Sequence, residues 1–356
     1  MLDEVGGDGR KGFIITMLEQ EERMRYRILA SRWFLAALGL VLVGQFALAC
    51  SSGTAPTPTP AATATPTPVK VRVGLLPIID SLPFFVAEKE GLFAEEKLQV
   101  ELVLFASALE RDTALQTGGT DAQLADLIAS GVLNRDKERI KIVATTHRAT
   151  PEKGMIFIVA GPKSNIQKPE DLKGKKIGIS ENSLIDYITD SLTEKAGLKP
   201  GDISKVSVPR IPERTTLLSQ GALDAATLPE PVASLTVSSG GRVILEDGPA
   251  QIGVSVLEFR TEFLKDNRAA VERFVRAHQK AIALVNANRA KYQPLLAEKA
   301  NLPDSIKTTF PVPAFPEQNI PSRQDVQAAV DWMVRRGLLD KPLTYEQLVD
   351  TTLLKK

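Results

Sequence analysis

Only one cysteine, Cys50, and two histidines occur in the 356 residues. A single cysteine excludes an intramolecular disulfide and any cysteine-rich zinc or iron–sulfur site, so the fold must rest on packing. Two histidines far apart in sequence leave acid–base catalysis to carboxylates or lysines. Charge of either sign is not in excess: 44 Lys and Arg against 43 Asp and Glu give a net charge of +1, and no basic field exists to hold nucleic acid. With two tryptophans and four tyrosines, a binding cleft built on stacked tryptophans is not expected. The sequence also lacks a G-x-S-x-G elbow, an H-E-x-x-H helix, a complete phosphate loop and a G-x-G-x-x-G fingerprint, which removes the common hydrolase, metalloprotease and nucleotide-binding signatures.

What is present begins with an address. Four arginines lie between Arg23 and Trp33, and the stretch from Trp33 to Cys50, WFLAALGLVLVGQFALAC, carries no charge. A basic segment, an apolar run and small residues at its end make a signal-peptide layout over residues 1–50. Ala47-Leu48-Ala49-Cys50 resembles a bacterial lipobox, which implies lipidation of Cys50 and a membrane anchor. A single membrane-spanning anchor is the alternative reading of the same run, because its length approaches the ~20 residues that span a bilayer. Residues 1–22 are acidic and precede the basic segment, which suggests initiation at Met17 or Met24. Residues 51–68, SSGTAPTPTPAATATPTP, cannot build a core. They form a linker that, extended at ~3.1 Å per residue, reaches about 55 Å.

From Val69 the chain alternates strand-like and helix-like segments, the pattern of an α/β fold. Strands are predicted at 70–75, 99–105, 139–146, 175–180, 205–209, 224–228 and 242–245. Two further apolar segments, 154–161 and 251–259, bracket about 90 residues with their own alternation. They read as crossover strands joining two doubly wound sheets, with lobe 1 at 69–158 and 254–356 and lobe 2 at 159–253. One larger sheet is the alternative. Ser81 and Pro83 suit the start of a helix and Gly91 its end. Val271, Phe274, Val275, His278, Ile282 and Val285 share one helix face, so His278 reads as packing rather than a ligand. Pro294 is expected to end that helix, and QDVQAAVDWMVRRGLL to form another, completing a helical C-terminal tail.

Pro83-Phe84-Phe85-Val86-Ala87, Gly91-Leu92-Phe93, Ala114-Leu115 with Asp121, Pro169–Gly178, Leu217–Ala226 and Pro229-Glu230-Pro231 follow one another in an order that resembles the bacterial solute-binding proteins for alkanesulfonates and thiamine precursors. The resemblance spans about residues 70–260. It implies the two-lobed type II periplasmic-binding-protein fold and a monomer that binds a small solute, without a cofactor, for an ABC permease and its ATPase. The sequence departs from the pattern at Gly118-Gly119-Thr120-Asp121. It also lacks the cysteine-rich motif of the eukaryotic relatives that make the thiamine pyrimidine, so that synthase activity is not expected.

In open α/β sheets, ligands lie beyond the carboxyl ends of the strands. This selects Asp80 and Ser81, Ser107, Thr145 with Thr146 and His147, and Ser180, Glu181, Asn182 and Ser183. The last group opens a helix whose free N–H groups suit an anion, though Ser183 is equally suited to plain capping. Tyr187 offers a ring face to the cleft or to the core. The resemblance adds Glu230, facing the cleft from lobe 2. Asp80 and Glu230 together favour N–H donors, hence a heterocyclic vitamin precursor within a vitamin-precursor or sulfonate class of solute. An exported sensor or scaffold domain and an exported enzyme are the alternatives.

Overall fold

The computed structural model describes residues 68–304, 306–317 and 319–354. The leader, Cys50 and all of the linker but Pro68 lie outside the described residues. The chain builds two five-stranded mixed sheets. The first receives β1 (Val69–Leu75), β2 (Leu98–Leu104), β3 (Ala122–Asp126) and β4 (Ile140–Arg148). The second is made of β5 (Ile156–Ala160), β6 (Lys176–Ile179), β7 (Ser204–Ser207), β8 (Ala225–Pro229) and β9 (Arg242–Glu246), after which β10 (Val254–Arg260) returns to the first.

The strand orders are β2-β1-β3-β10-β4 and β7-β6-β8-β5-β9. In each sheet three parallel strands are followed by one antiparallel strand, β10 beside β3 and β5 beside β8. The chain therefore passes between lobes at residues 149–155 and 247–253, where the two segments run together: the Ala149 N–H donates to the Gly253 carbonyl at 2.9 Å. Asp247 closes this crossing, accepting from the Met155 and Ile156 N–H groups at 2.7 and 3.0 Å. Burial pushes its carboxyl up to about 6.

Three sequence expectations change. Strand β3 was not expected, because AQLAD has neither alternation nor β-branched residues. It is buried throughout, and burial on both faces removes the period that would reveal it. Strand β5 pairs only within the second sheet, so lobe 2 begins before Ile156 rather than at 159. Pro294 does not end the long helix. That helix, Arg268–Ala287, stops at Asn288, and Pro294 lies inside the next one, Arg289–Lys299.

The helical tail packs onto lobe 1. Val271, Phe274, Val275, Ile282 and Val285 are buried with Phe84 and Phe93 in one core, where each large apolar side chain contributes ~1.5–3 kcal/mol relative to exposure. His278 stands in that stripe with its ring 4.2 Å from Phe84. Burial lowers its pKa to about 3 and keeps it neutral.

Candidate functional site

A cavity of about 70 Å³ lies between the sheets. It is bounded by the carboxyl ends of the parallel strands of both lobes and by the first residues of the antiparallel strands: Ile78 and Asp80 beyond β1, Asp126 ending β3, Ser180 and Ser183 beyond β6, Pro229 ending β8, and Ile156 and Ser255 opening β5 and β10. The antiparallel strands run backwards, so their starts fall beside the ends of their neighbours. The strand-end rule for α/β ligand sites is thus satisfied twice around one space.

Each lobe also sends an arginine into it by the same device. Arg111, from the helix Ala108–Gln116 after β2, lies across Gly74 of β1, where an added Cβ would come within 3.1 Å of its Cγ. Arg214, from the helix Ile211–Gln220 after β7, lies across Gly178 of β6, where a Cβ would again come within 3.1 Å of its Cγ. A side chain on either strand glycine would displace the arginine. Both guanidinium groups then donate from Nη1 to a carbonyl of the third parallel strand, Leu124 at 2.8 Å and Thr227 at 2.9 Å.

Their electrostatics differ. Arg111 Nη2 stands 2.8 Å from Asp112 and 4.0 Å from Asp126. Burial opposes its charge, but Asp112, Asp126 and Glu258 hold its pKa above the ordinary value. Asp126 is itself raised by burial, with Arg111 and two N–H groups of its helix opposing. Arg214, only 1% exposed, donates to three main-chain carbonyls, of Val208, Pro209 and Thr227. No carboxylate pairs with it among the described residues, and burial lowers its pKa to about 10. It stays a cation at neutral pH with two of its five N–H donors unspent.

On the lobe 1 side of the same cavity is Asp80, buried, whose Oδ2 accepts the Ser255 hydroxyl. His147 lies behind, in register with Ser255 across β4 and β10. Burial lowers its pKa against the opposing pull of Asp80. Its Nδ1 and the Thr145 and Thr146 hydroxyls are buried without a hydrogen-bond partner among the described residues.

Of the residues selected from sequence, Asp80, Ser180 and Ser183 line this one cavity. Ser107 caps the helix that carries Arg111, accepting from the Glu110 N–H at 3.2 Å. The remaining ones stand elsewhere. Ser81 spends its hydroxyl on the Leu76 carbonyl at 2.7 Å instead of capping. Thr145 is buried in β4 and does not line the cavity. Glu181 and Asn182 are exposed, because Asn182 takes a left-handed φ of 57° that turns the chain outward before the helix Leu184–Lys195. Tyr187 packs edge-on against Trp332 at 5.4 Å, away from the cavity. Glu230 turns onto its own helix and accepts the Ser234 N–H and hydroxyl at 3.1 and 2.8 Å. Sequence reasoning missed Arg111, Arg214, Asp126 and Ser255. The glycines at 74 and 178, unusual inside strands, were the available signal for the two arginines.

Two such sheets, joined by two crossings around a shared cavity, define the type II periplasmic-binding-protein fold. The chain belongs to the NMT1/THI5-like family, whose model matches residues 78–291. A Bacillus subtilis (strain 168) protein provisionally named an aliphatic sulfonates-binding protein is 24% identical over 77% of this chain and 84% of its own length. The alkanesulfonate-binding protein SsuA from Xanthomonas axonopodis pv. citri, solved with MOPS bound, superposes with a TM-score of 0.69 at 20% identity, covering 80% of this chain and 99% of that one. The periplasmic nitrate-binding protein NrtA from Synechocystis PCC 6803 superposes with a TM-score of 0.62 at 16% identity, covering 79% and 84%.

Proposed function

We propose that this chain is an extracytoplasmic solute-binding protein that captures a small organic anion between its lobes and delivers it to an ABC permease. The observation that carries this reading is Arg214: a buried cation without a carboxylate partner among the described residues, lining a cavity whose lobe 1 wall holds Asp80. Burying an unpaired charge costs several kcal/mol, and an acidic group on the solute offsets that cost. The walls are otherwise largely apolar, with Leu76, Ile78, Met155, Ile156 and Ile211 among them, so the solute has an apolar body. Asp80 then accepts from a donor at its other end.

This shifts the solute class. The expectation of a vitamin precursor rested on Glu230 and Asp80 together, and Glu230 has turned away while Arg214 has come in. A small sulfonate, with or without an amino group, suits the pair better. The relatives named above are binding proteins, which favours binding without turnover.

A thermal-shift screen of short alkanesulfonates, an aminosulfonate, nitrate and an aminopyrimidine is the test. A bound sulfonate at ~100 times its Kd should add about 2.7 kcal/mol of stability. Asp80→Asn should weaken an aminosulfonate about 5- to 150-fold, the equivalent of ~1–3 kcal/mol, and a plain alkanesulfonate much less. If only the aminopyrimidine stabilises the protein, the anion reading fails. If none of the four does and mass spectrometry finds no co-purifying solute, the binding reading fails.

The anchor is part of the same proposal. Cys50→Ala should abolish incorporation of a fatty-acid probe in the native host, and a variant that still takes up the probe would refute lipidation at this residue.

A further inference from the structure

We infer that Asp186 and Asp190 of lobe 2 and Trp332 and Arg336 of lobe 1 form a latch that sets how tightly the lobes stay closed, with Asp186 linking it to the cavity wall. This rests on the two-lobed binding reading but adds residues that do not line the cavity.

The helix Leu184–Lys195 serves two surfaces. Its first turn, with Ser183, Leu184 and Ile185, lines the cavity. Asp186, in that same turn, and Asp190, one turn further, meet the C-terminal end of the helix Arg323–Arg335 of lobe 1. Lys205 of β7 holds both carboxylates from within lobe 2, at 2.7 Å from Asp186 and 2.6 Å from Asp190. Two carboxylates against one lysine leave a net negative charge. Lobe 1 brings the missing cation: Arg336 Nη2 reaches Asp186 Oδ2 at 3.3 Å, and its Nε lies 3.9 Å from Asp190. Trp332 Nε1 donates to Asp190 at 3.1 Å, and its ring packs edge-on against Tyr187.

Asp186 joins the two surfaces. It is completely buried, and the oxygen facing Arg336 also accepts the Asn182 N–H at 3.0 Å. Asn182 belongs to the turn between Ser180 and Ser183, both cavity-lining residues. A solute seated on that turn holds the N–H that positions Asp186, and Asp186 in place receives Arg336. The latch therefore acts on closure through position, without touching the solute.

Amide hydrogen exchange on the full chain tests this without any solute. Among the described residues, main-chain hydrogen bonds cross between the lobes outside the latch from Ile211 to the Ala106 carbonyl at 3.2 Å and from Ile79 to the Glu230 carbonyl at 3.4 Å, and their exchange reports opening. Arg336→Gln combined with Trp332→Phe should speed exchange at both amides about 30-fold or more, as expected for losing one charged and one neutral hydrogen bond, while the β1 and β6 amides stay slow. Arg336→Lys should restore most of the protection. Raising salt from about 0.05 to about 0.5 M should speed exchange in the wild type more than in Arg336→Gln, which keeps only the exposed Arg210–Glu110 pair across the lobes among the described residues, because part-exposed ion pairs are screened. Unchanged exchange at Ile211 and Ile79 would overturn the latch, and so would acceleration throughout both sheets, which would make these residues general stabilisers. A chain that binds no solute yet opens faster in the variant would refute the binding reading and keep the latch.

Discussion

Replacing Arg214 by methionine is expected to abolish high-affinity solute binding and to destabilise lobe 2. The guanidinium ties together Val208 and Pro209, just beyond β7, and Thr227 in β8. Methionine fills much of the same volume but leaves three buried carbonyls without donors, at ~1–3 kcal/mol each where water cannot reach. Some relief comes from removing a buried charge, so the net loss should be about 3–5 kcal/mol. Affinity for the anion should fall by at least ~100-fold, since a charge-assisted contact in a dry cavity is lost. Arg214→Lys separates the two effects. It keeps the cation but not the planar fork, so it should retain part of the affinity while losing nearly as much stability. Calorimetric titration together with denaturant unfolding would read both quantities. Wild-type affinity in the methionine variant would remove Arg214 from the solute site.

The second large effect is a pH dependence centred on Glu258. This residue of β10 is wholly buried behind Arg111 and Asp126. Gln123 Nε2 donates to it at 2.7 Å, and Ser130 Oγ makes a short contact with its other oxygen. The Ser130 hydroxyl also lies 2.9 Å from the Asp126 carbonyl. A hydroxyl has one proton to give. Shared between two acceptors, the Ser130 hydroxyl only partly offsets the cost of burying a charged carboxylate. Burial accordingly pushes the pKa from 4.5 up to about 8.

The folded state thus holds one more proton than the unfolded chain between those two values. The stability this contributes is complete below about pH 4.5 and is lost as pH rises through about 8. Glu258→Gln keeps the shape and carries no titrating proton. The wild type should lose stability relative to that variant by ~1.4 kcal/mol for each pH unit between about pH 5 and about pH 8. Subtracting the two unfolding curves cancels the other shifted groups, among them Asp247 and His278. A difference that does not change with pH would mean that Glu258 is ionised in the folded protein.

Much of the architecture was legible in the chain. The alternation of strand and helix segments reports burial directly, because a surface helix or a half-buried strand repeats its apolar residues with the period of its own backbone. Val271, Phe274, Val275, His278, Ile282 and Val285 could be placed on one face, and His278 assigned to packing, from spacing alone. Strand β3 escaped because a strand buried on both faces has no such period.

The cavity was legible only in part. Strand-end loops can be named from sequence, which brought Asp80, Ser180 and Ser183 to one place. Whether a loop side chain faces the solute or its own backbone depends on competing partners within a few ångströms. Ser81 met the Leu76 carbonyl and Glu230 met Ser234, while Tyr187 met Trp332 from the other end of the chain.

The sequence by itself pointed to an α/β fold in two lobes, to crossings within a few residues of where the chain makes them, and to an uncharged apolar run ending at its only cysteine. These follow from local periodicity and composition. Only the tertiary structure decided that Arg214 meets no carboxylate among the described residues, that burial raises the Glu258 carboxyl and that Arg336 meets Asp186. Each is an electrostatic balance among groups far apart in the chain, and charge interactions take their strength from distance and burial, which exist only once the chain has folded.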